Sequence, residues 1–300
     1  MASLTQRTVI VTGAGKGLGR AYAVALASQG ANVLVNNRRH PGEEDEDTSA
    51  MATVLAIRAR GGSAEPNYAD VTDPASGPSM VAHAIDCFGQ VDAVVANAGI
   101  EKISRFEHLS LDDFQQVFNT SFFGNLYLVQ AAWRHWLNTG GGRAVLTTSG
   151  AGLYGNHGQA AYSAAKAAVM GLTKALSIEG ASRNIKVNAL APYAHTAMTK
   201  DYLESVDSDL LAPDKVAPLV NYLTSADCDL SGEILVAGGG LVRAAHMTEE
   251  AALPIDADIT ATIAQLRDQP KAAYTSANES FLDLKLLMTD LSTGADATDR

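Results

Sequence analysis

Near the start of the chain a run of β-branched residues breaks into glycines and then into a small-residue helical pattern: "RTVIVTGAGKGLGRAYAVALASQG", beginning at Arg7. Gly13, Gly15, Gly17 and Gly19 occupy the turn, with Lys16 and Leu18 between them. Glycine permits positive φ and lets an anion come close to the backbone, and the helix that follows offers unpaired N–H groups and a favourable dipole. A strand, a glycine turn and a helix in that order predict a phosphate-binding loop at the head of an α/β sheet.

The rest of the chain keeps the same rhythm. Strand patterns begin at Arg7, Ala31, Ala64, Val91, Gly142, Asn184 and Gly232, and helical stretches such as "LGRAYAVALASQG", residues 113–138 and residues 161–181 separate them. Such alternation predicts a doubly wound, parallel, seven-stranded α/β sheet of Rossmann-like form, covered by helices on both faces. Ligands of such sheets gather at the carboxyl ends of the strands. Residues 1–243 are expected to form this domain, and 244–300 a C-terminal extension. The extension shows helical patterns in "DADITATIAQLRDQ" and "NESFLDLKLLMTDL", and its last residues are expected to be disordered. The run "EEDED", Glu43 to Asp47, is expected to be a solvated loop insertion.

Composition excludes several classes of function. A net charge of −11 argues against nucleic acid as a partner, since phosphate backbones need a basic surface. Cys87 and Cys228 are the two cysteines, with no second ligand at metal spacing, so neither a disulfide framework nor a metal site is expected. No apolar run approaches the roughly 20 residues that span a bilayer, and the N-terminus has no signal-peptide pattern. A soluble, cytoplasmic protein without membrane association is expected.

The segment "SGAGLYGNHGQAAYSAAK" places Ser149 at the end of a strand, with Tyr162 and Lys166 four apart on one helical face. A lysine ammonium beside a phenol stabilises the phenolate and is expected to lower a pKa that is ordinarily about 10. A serine hydroxyl at the same sheet edge would hold a substrate oxygen. Tyrosine and lysine at this spacing also suit an alanine-rich interface helix, but together with Ser149, the glycine loop and "NAG" they are expected to form an acid/base site.

The glycine loop has the spacing T-G-x-x-x-G-x-G from Thr12 to Gly19, and "ADV" and "NAG" follow it in order. With Ser149, Tyr162 and Lys166, these motifs resemble the short-chain dehydrogenase/reductase family over about residues 4 to 240. The resemblance implies that the serine, tyrosine and lysine support hydride transfer to or from the nicotinamide, with Lys166 also binding the nicotinamide ribose. It implies that Asp70 and Val71 touch the adenine, and that Asn97, Ala98 and Gly99 support the sheet beside the cofactor.

Two positions depart from the family. Its proton-relay asparagine aligns with Ser121, which would have to hold the relay water itself. Asn119 and Asn125 point elsewhere on a regular helix unless a local distortion re-aims them. Where the family often has Pro-Gly after the sixth strand, this chain has Pro192-Tyr193. Thr196 is expected to approach the nicotinamide amide.

Cofactor choice turns on the end of the second strand, "VLVNNRR". An acid there would bind the ribose hydroxyls and repel a 2′-phosphate. Instead Asn37 and Arg38 stand there, with Arg39 next, so NADP(H) is preferred to NAD(H). Arg38 and Lys16 would flank the phosphate.

Within the family the motif region looks most like domains acting on 3-hydroxyacyl-CoA thioesters in peroxisomal and bacterial β-oxidation. A hydroxysteroid or other bulky-ketone dehydrogenase using NAD(H), and a non-catalytic nicotinamide-binding protein, are the alternatives. Tyr154, His157, Tyr193 and His195 are expected to line the mouth of a small-molecule pocket, under a short lid between Thr196 and Leu211. The family pairs its long helices between subunits, which implies a homodimer or homotetramer.

Overall fold

Strand β1 (Thr8–Thr12) is buried along its whole length, because helices cover both faces of the sheet it belongs to. Val9 and Val11 point to one core layer, packed under α1 (Gly17–Ser28), α2 (Ser49–Arg58) and α8 (Ala217–Thr224). Ile10 points to the other, under α3 (Ser76–Phe88), α5 (Gly124–Thr139) and α7 (Ala160–Gly180). The strand therefore reads as a continuous apolar run rather than an alternating one. The computed structural model describes residues 4–40, 42–200, 208–249, 252–253 and 259–268.

Eight strands form one sheet: β1, β2 (Asn32–Asn36), β3 (Ser63–Asn67), β4 (Ala93–Ala96), β5 (Gly142–Thr147), β6 (Ile185–Tyr193), β7 (Ile234–Gly238) and β8 (Leu241–Ala245). Their order is β3-β2-β1-β4-β5-β6-β7-β8. β1 lies parallel to both β2, with Val9 opposite Val33, and β4, with Val9 opposite Ala93. The chain reverses its direction of travel across the sheet between these neighbours, and the crevice of a doubly wound sheet opens there.

The sequence expectation of seven strands is one short. Gly239 and Gly240 make a two-residue connection from β7 to β8, which only an antiparallel hairpin can use. β8 is a largely exposed edge strand without apolar alternation, so the sequence pattern does not announce it.

The long helix expected over 113–138 is two helices. α4 (Leu111–Phe118) passes through a π-turn at Asn119–Phe123 into α5. Compactness divides the chain after Ala244. Beyond that point α9 (Ile259–Asp268) forms within the first helical pattern of the extension, while "NESFLDLKLLMTDL" and the final residues lie outside the described residues. Among the described residues no helix is long and apolar enough to cross a membrane, and no group of three acidic, histidine or cysteine side chains converges as a metal site.

Candidate active site

The end of β1 is fastened to the end of β4. The Thr12 hydroxyl accepts the backbone N–H groups of Asn97 and Ala98, each at 3.0 Å, and the Thr12 carbonyl accepts Asn97 Nδ2 at 3.0 Å. Gly13 then turns the chain with φ +62°, and a Cβ on Gly19 would collide with the Gly13 carbonyl and come within 2.7 Å of Asn97 Nδ2. The first turn of α1 can pack this closely on the sheet only with glycine at both places.

Above this junction lies a cleft of about 550 Å³. Gly13, Lys16, Asn37, Arg38, Asp70, Val71, Ala98 and Gly99 line it, so about half of the residues expected to hold a cofactor share one cavity. Leu18 packs instead into the core, and Gly15 lies against Ser49 and Asn37. Gly17 faces Thr196, whose methyl is 3.5 Å from where a Gly17 Cβ would stand. Thr196 is fixed by Thr199, whose Oγ1 accepts its backbone N–H at 2.9 Å and donates to the Ala194 carbonyl at 2.6 Å. A dinucleotide fits this cradle: a glycine turn at a helix N-terminus for the pyrophosphate, and an open channel along the strand ends for the rest.

The acidic run is not simply solvated. Asp45 pairs with Arg39, whose guanidinium lies 4.5 Å over the Tyr68 ring, and Glu43 Oε2 accepts the His40 N–H at 2.9 Å. Arg38 is left on the cleft wall, 3.8 Å from Asp70 in a half-exposed pair. Asp70 also accepts the Thr72 N–H and hydroxyl at 2.9 and 2.8 Å.

The second group of residues meets at the ends of β5 and α7. Ser149 follows β5 and caps α6 (Gly150–Tyr154), its Oγ accepting the Ala151 N–H at 3.2 Å. Tyr162 and Lys166 lie on one face of α7, with Lys166 Nζ 5.6 Å from the centre of the Tyr162 ring. Lys166 is buried, and its ammonium donates to the Thr147 carbonyl at 2.7 Å. Burial lowers its pKa to about 8.

The phenol behaves differently from the sequence expectation. Burial pushes the Tyr162 pKa up to about 12, hydrogen bonding to Ser149 works against the rise, and the Glu101 carboxylate adds to it. Ile100, Phe114, Phe118 and Phe122 pack around this part of α7, and in so apolar a setting desolvation of the phenolate outweighs the nearby ammonium. Tyr162 is thus a neutral phenol at neutral pH.

Ser121 is buried within the π-turn, and both sides of its hydroxyl are engaged. Oγ accepts the Ile100 N–H at 3.1 Å and donates to the Ile100 carbonyl at 3.0 Å. It nevertheless lies close to the lysine: a Cβ on Gly99 would stand 3.3 Å from Ser121 Oγ and 3.4 Å from Lys166 Nζ. The π-turn is a local distortion of the kind that can re-aim the neighbouring asparagines. Asn119 lines the cleft, and Asn125 Nδ2 donates to the Ser121 carbonyl at 3.1 Å.

The four residues expected at the pocket mouth are dispersed. The Tyr193 hydroxyl lies against Gly150, beside Ser149, while Tyr154 is exposed at the end of α6. His157 lines a surface recess of about 330 Å³ with Ser104, Arg105 and Phe106, and His195 is held through its backbone N–H on the Leu211 carbonyl at 2.7 Å. The middle of the expected lid, residues 201–207, lies outside the described residues.

Sequence reasoning missed several participants. Asn36, His40, Thr72, Asp112, Gln115, Gln116 and Thr120 also line the cleft. No local pattern marks the α4 residues, because only the fold brings that helix over the strand ends. Thr147 acts through its carbonyl, which any residue type would supply.

Comparison with known proteins bears on the whole arrangement. Residues 7–207 match the sequence model of the short chain dehydrogenases. A short-chain type dehydrogenase/reductase of Mycobacterium tuberculosis is 41% identical over 245 residues, covering 81% of this chain and 86% of that protein. Peroxisomal multifunctional enzyme type 2 of Mus musculus is 40% identical over 238 residues, covering 79% of this chain and 32% of the mouse protein, so this chain spans about a third of that relative. The crystal structure of a short chain dehydrogenase from Mycobacterium avium superposes with a TM-score of 0.82 at 32% identity, over 91% of this chain and 99% of the other.

Proposed function

The chain belongs to the short-chain dehydrogenase family and is an NAD(P)-dependent oxidoreductase, and from that premise we propose that it transfers a hydride between NADP(H) and a 3-hydroxyacyl or 3-oxoacyl thioester. The observation that carries this reading is the meeting of Ser149, Tyr162 and Lys166 at the sheet edge that also bounds the nucleotide-sized cleft. Catalysis rather than binding alone explains why a buried lysine is kept beside a tyrosine there. Residues 1–243 would carry the whole site, and 244–300 an extension to it.

The glycine loop from Gly13 to Gly19 would hold the pyrophosphate, Asp70 and Val71 the adenine, Asn97, Ala98 and Gly99 the floor, and Thr196 the nicotinamide end. Arg38 and Lys16, with Asn37, would hold a 2′-phosphate, because no acid closes the end of β2. The bound nicotinamide supplies the hydride donor or acceptor.

The chain's own groups supply the proton and the positioning. Ser149 Oγ donates to the substrate carbonyl oxygen and fixes its direction. Tyr162 gives its phenolic proton to that oxygen as reduction proceeds, and takes it back in oxidation. The Lys166 ammonium, held by the Thr147 carbonyl, stabilises the phenolate left behind. Ser121 and the π-turn keep Ile100 and the helix junction in place around this group.

The thioester assignment rests on the resemblance of the segment from Thr147 to Lys166 to 3-hydroxyacyl-CoA dehydrogenase domains, and on 40% identity to a peroxisomal multifunctional enzyme. A second reading, NAD(H) as cofactor, is favoured by the Arg38–Asp70 pair, which occupies the guanidinium.

Nicotinamide fluorescence titration with NADPH and NADH, followed by addition of acetoacetyl-CoA, a longer 3-oxoacyl-CoA or a 17-ketosteroid, tests both parts. Tight NADPH binding and oxidation by a thioester is the expected result. Oxidation by the steroid alone would replace the substrate class, and tighter NADH would replace the cofactor.

A further inference from the structure

Glu101 lies two residues past Gly99 in the loop after β4, next to the reacting groups. Its Oε2 accepts a 2.6 Å hydrogen bond from Gln159 Nε2, and Gln159 is buried at the start of α7, three residues before Tyr162. Gln159 is held in turn by Asn156, whose Nδ2 donates to Gln159 Oε1 at 2.9 Å. The Ser104 N–H donates to the Gly158 carbonyl at 2.9 Å and stitches the same two loops together. The carboxyl is therefore fixed beside the phenol rather than free in solvent. Its charge reaches Tyr162, where it raises the phenol, and burial holds Glu101 itself above the usual carboxylate range.

The direct partner of the carboxylate is a neutral amide rather than a cation. Lys102 turns to Asp113, and the Lys166 ammonium donates to Thr147. The apolar residues around Tyr162 leave the field of Glu101 weakly screened. A carbonyl compound bound between Ser149 and Tyr162 lies within reach of that field, and a substrate bearing its own carboxylate close to the ketone would be repelled.

We propose that Glu101 is a specificity-determining residue that excludes anionic ketones, so that the site takes a 3-oxoacyl group only when its carboxyl is masked as a neutral ester or thioester. This deepens the function proposed above and rests on its placement of the substrate oxygen between Ser149 and Tyr162. It also explains why Gln159 is spent on a carboxylate: the pair orients the charge that makes the selection.

The test compares ethyl acetoacetate with acetoacetate, which differ at the carboxyl group, in the NADPH-loaded wild type and in Glu101→Gln and Glu101→Asp. Glutamine keeps an oxygen for Gln159 and removes the charge. Glu101→Gln is expected to raise kcat/KM for acetoacetate about tenfold, mainly through a lower KM, and to change that for the ester by no more than about twofold. Glu101→Asp, which keeps the charge, is expected to retain wild-type selectivity. An ester-to-acid ratio unchanged in Glu101→Gln would overturn the proposal. The thioester assignment has its own readout in wild-type turnover of acetoacetyl-CoA, so the two fail separately.

Discussion

Lys166 Nζ stands 5.6 Å from the centre of the Tyr162 ring while donating to the carbonyl of Thr147 at 2.7 Å. The strand end thus sets where the ammonium sits relative to the phenol, and burial drives their pKa values in opposite directions, to about 8 and about 12. At neutral pH the pair holds a proton on the phenol and a positive charge on the lysine. That is the state suited to protonating a ketone oxygen.

Removing the phenol proton removes the acid. Tyr162→Phe is expected to lower kcat for ketone reduction by about 10²–10⁴, the usual scale of general acid catalysis. Cofactor affinity by fluorescence titration should stay within a few-fold. Unchanged turnover would mean another group donates the proton.

The lysine sets the pH dependence. Its folded pKa of about 8 lies below its ordinary value, so the ammonium is present below pH 8 and lost above it. The rate of ketone reduction should be level below pH 8 and decline above it. In Lys166→Arg, whose guanidinium stays charged, residual activity should show no such limb. The same shift acts on stability. Between pH 8 and the ordinary lysine value the unfolded chain binds more protons than the folded one, so this group's contribution to stability rises with pH across that window.

Arg38 is the one arginine after β2 left on the cleft, since Asp45 takes Arg39. Arg38→Asp should weaken NADPH relative to NADH by about 10- to 100-fold, as loss of a charge-assisted contact typically costs about 1.5–3 kcal/mol. An unchanged ratio of dissociation constants would remove Arg38 from the phosphate site.

Ser121→Ala leaves the N–H and carbonyl of Ile100 without their hydroxyl partner. A cost of about 1–3 kcal/mol follows, and for a domain of this size a Tm lower by about 2–4 °C per kcal/mol. Differential scanning calorimetry checks it; a Tm within 1 °C of wild type would show that the pair contributes little.

Gly19→Ala is expected to abolish cofactor binding in titration with either nicotinamide. The added Cβ meets the Gly13 carbonyl and Asn97 Nδ2, both already committed to the junction of β1 and β4. Full binding in this variant would show that α1 can move outward without opening the phosphate loop.

The glycine loop and the inner parallel strands were legible because each is specified locally: positive φ needs glycine, and strands covered on both faces need continuous apolar runs. The spacing of Tyr162 and Lys166 was legible for the same reason, being a property of one helix. The π-turn was not, since Asn119–Phe123 differs from its helical flanks only in hydrogen-bond register. β8 was missed because an exposed edge strand carries no burial pattern.

What the sequence determined by itself was the α/β sheet, its phosphate loop and the side chains able to do acid/base chemistry, because these follow from backbone sterics, periodicity and residue type. Tertiary structure decided how those side chains behave. It placed Lys166 on the Thr147 carbonyl, turned the acidic run onto Arg39 rather than Arg38, and set Glu101 against Gln159 beside the phenol. It also reversed the expected direction of the Tyr162 shift. Desolvation and charge depend on what surrounds a group in three dimensions, and residues distant in the chain supply those surroundings.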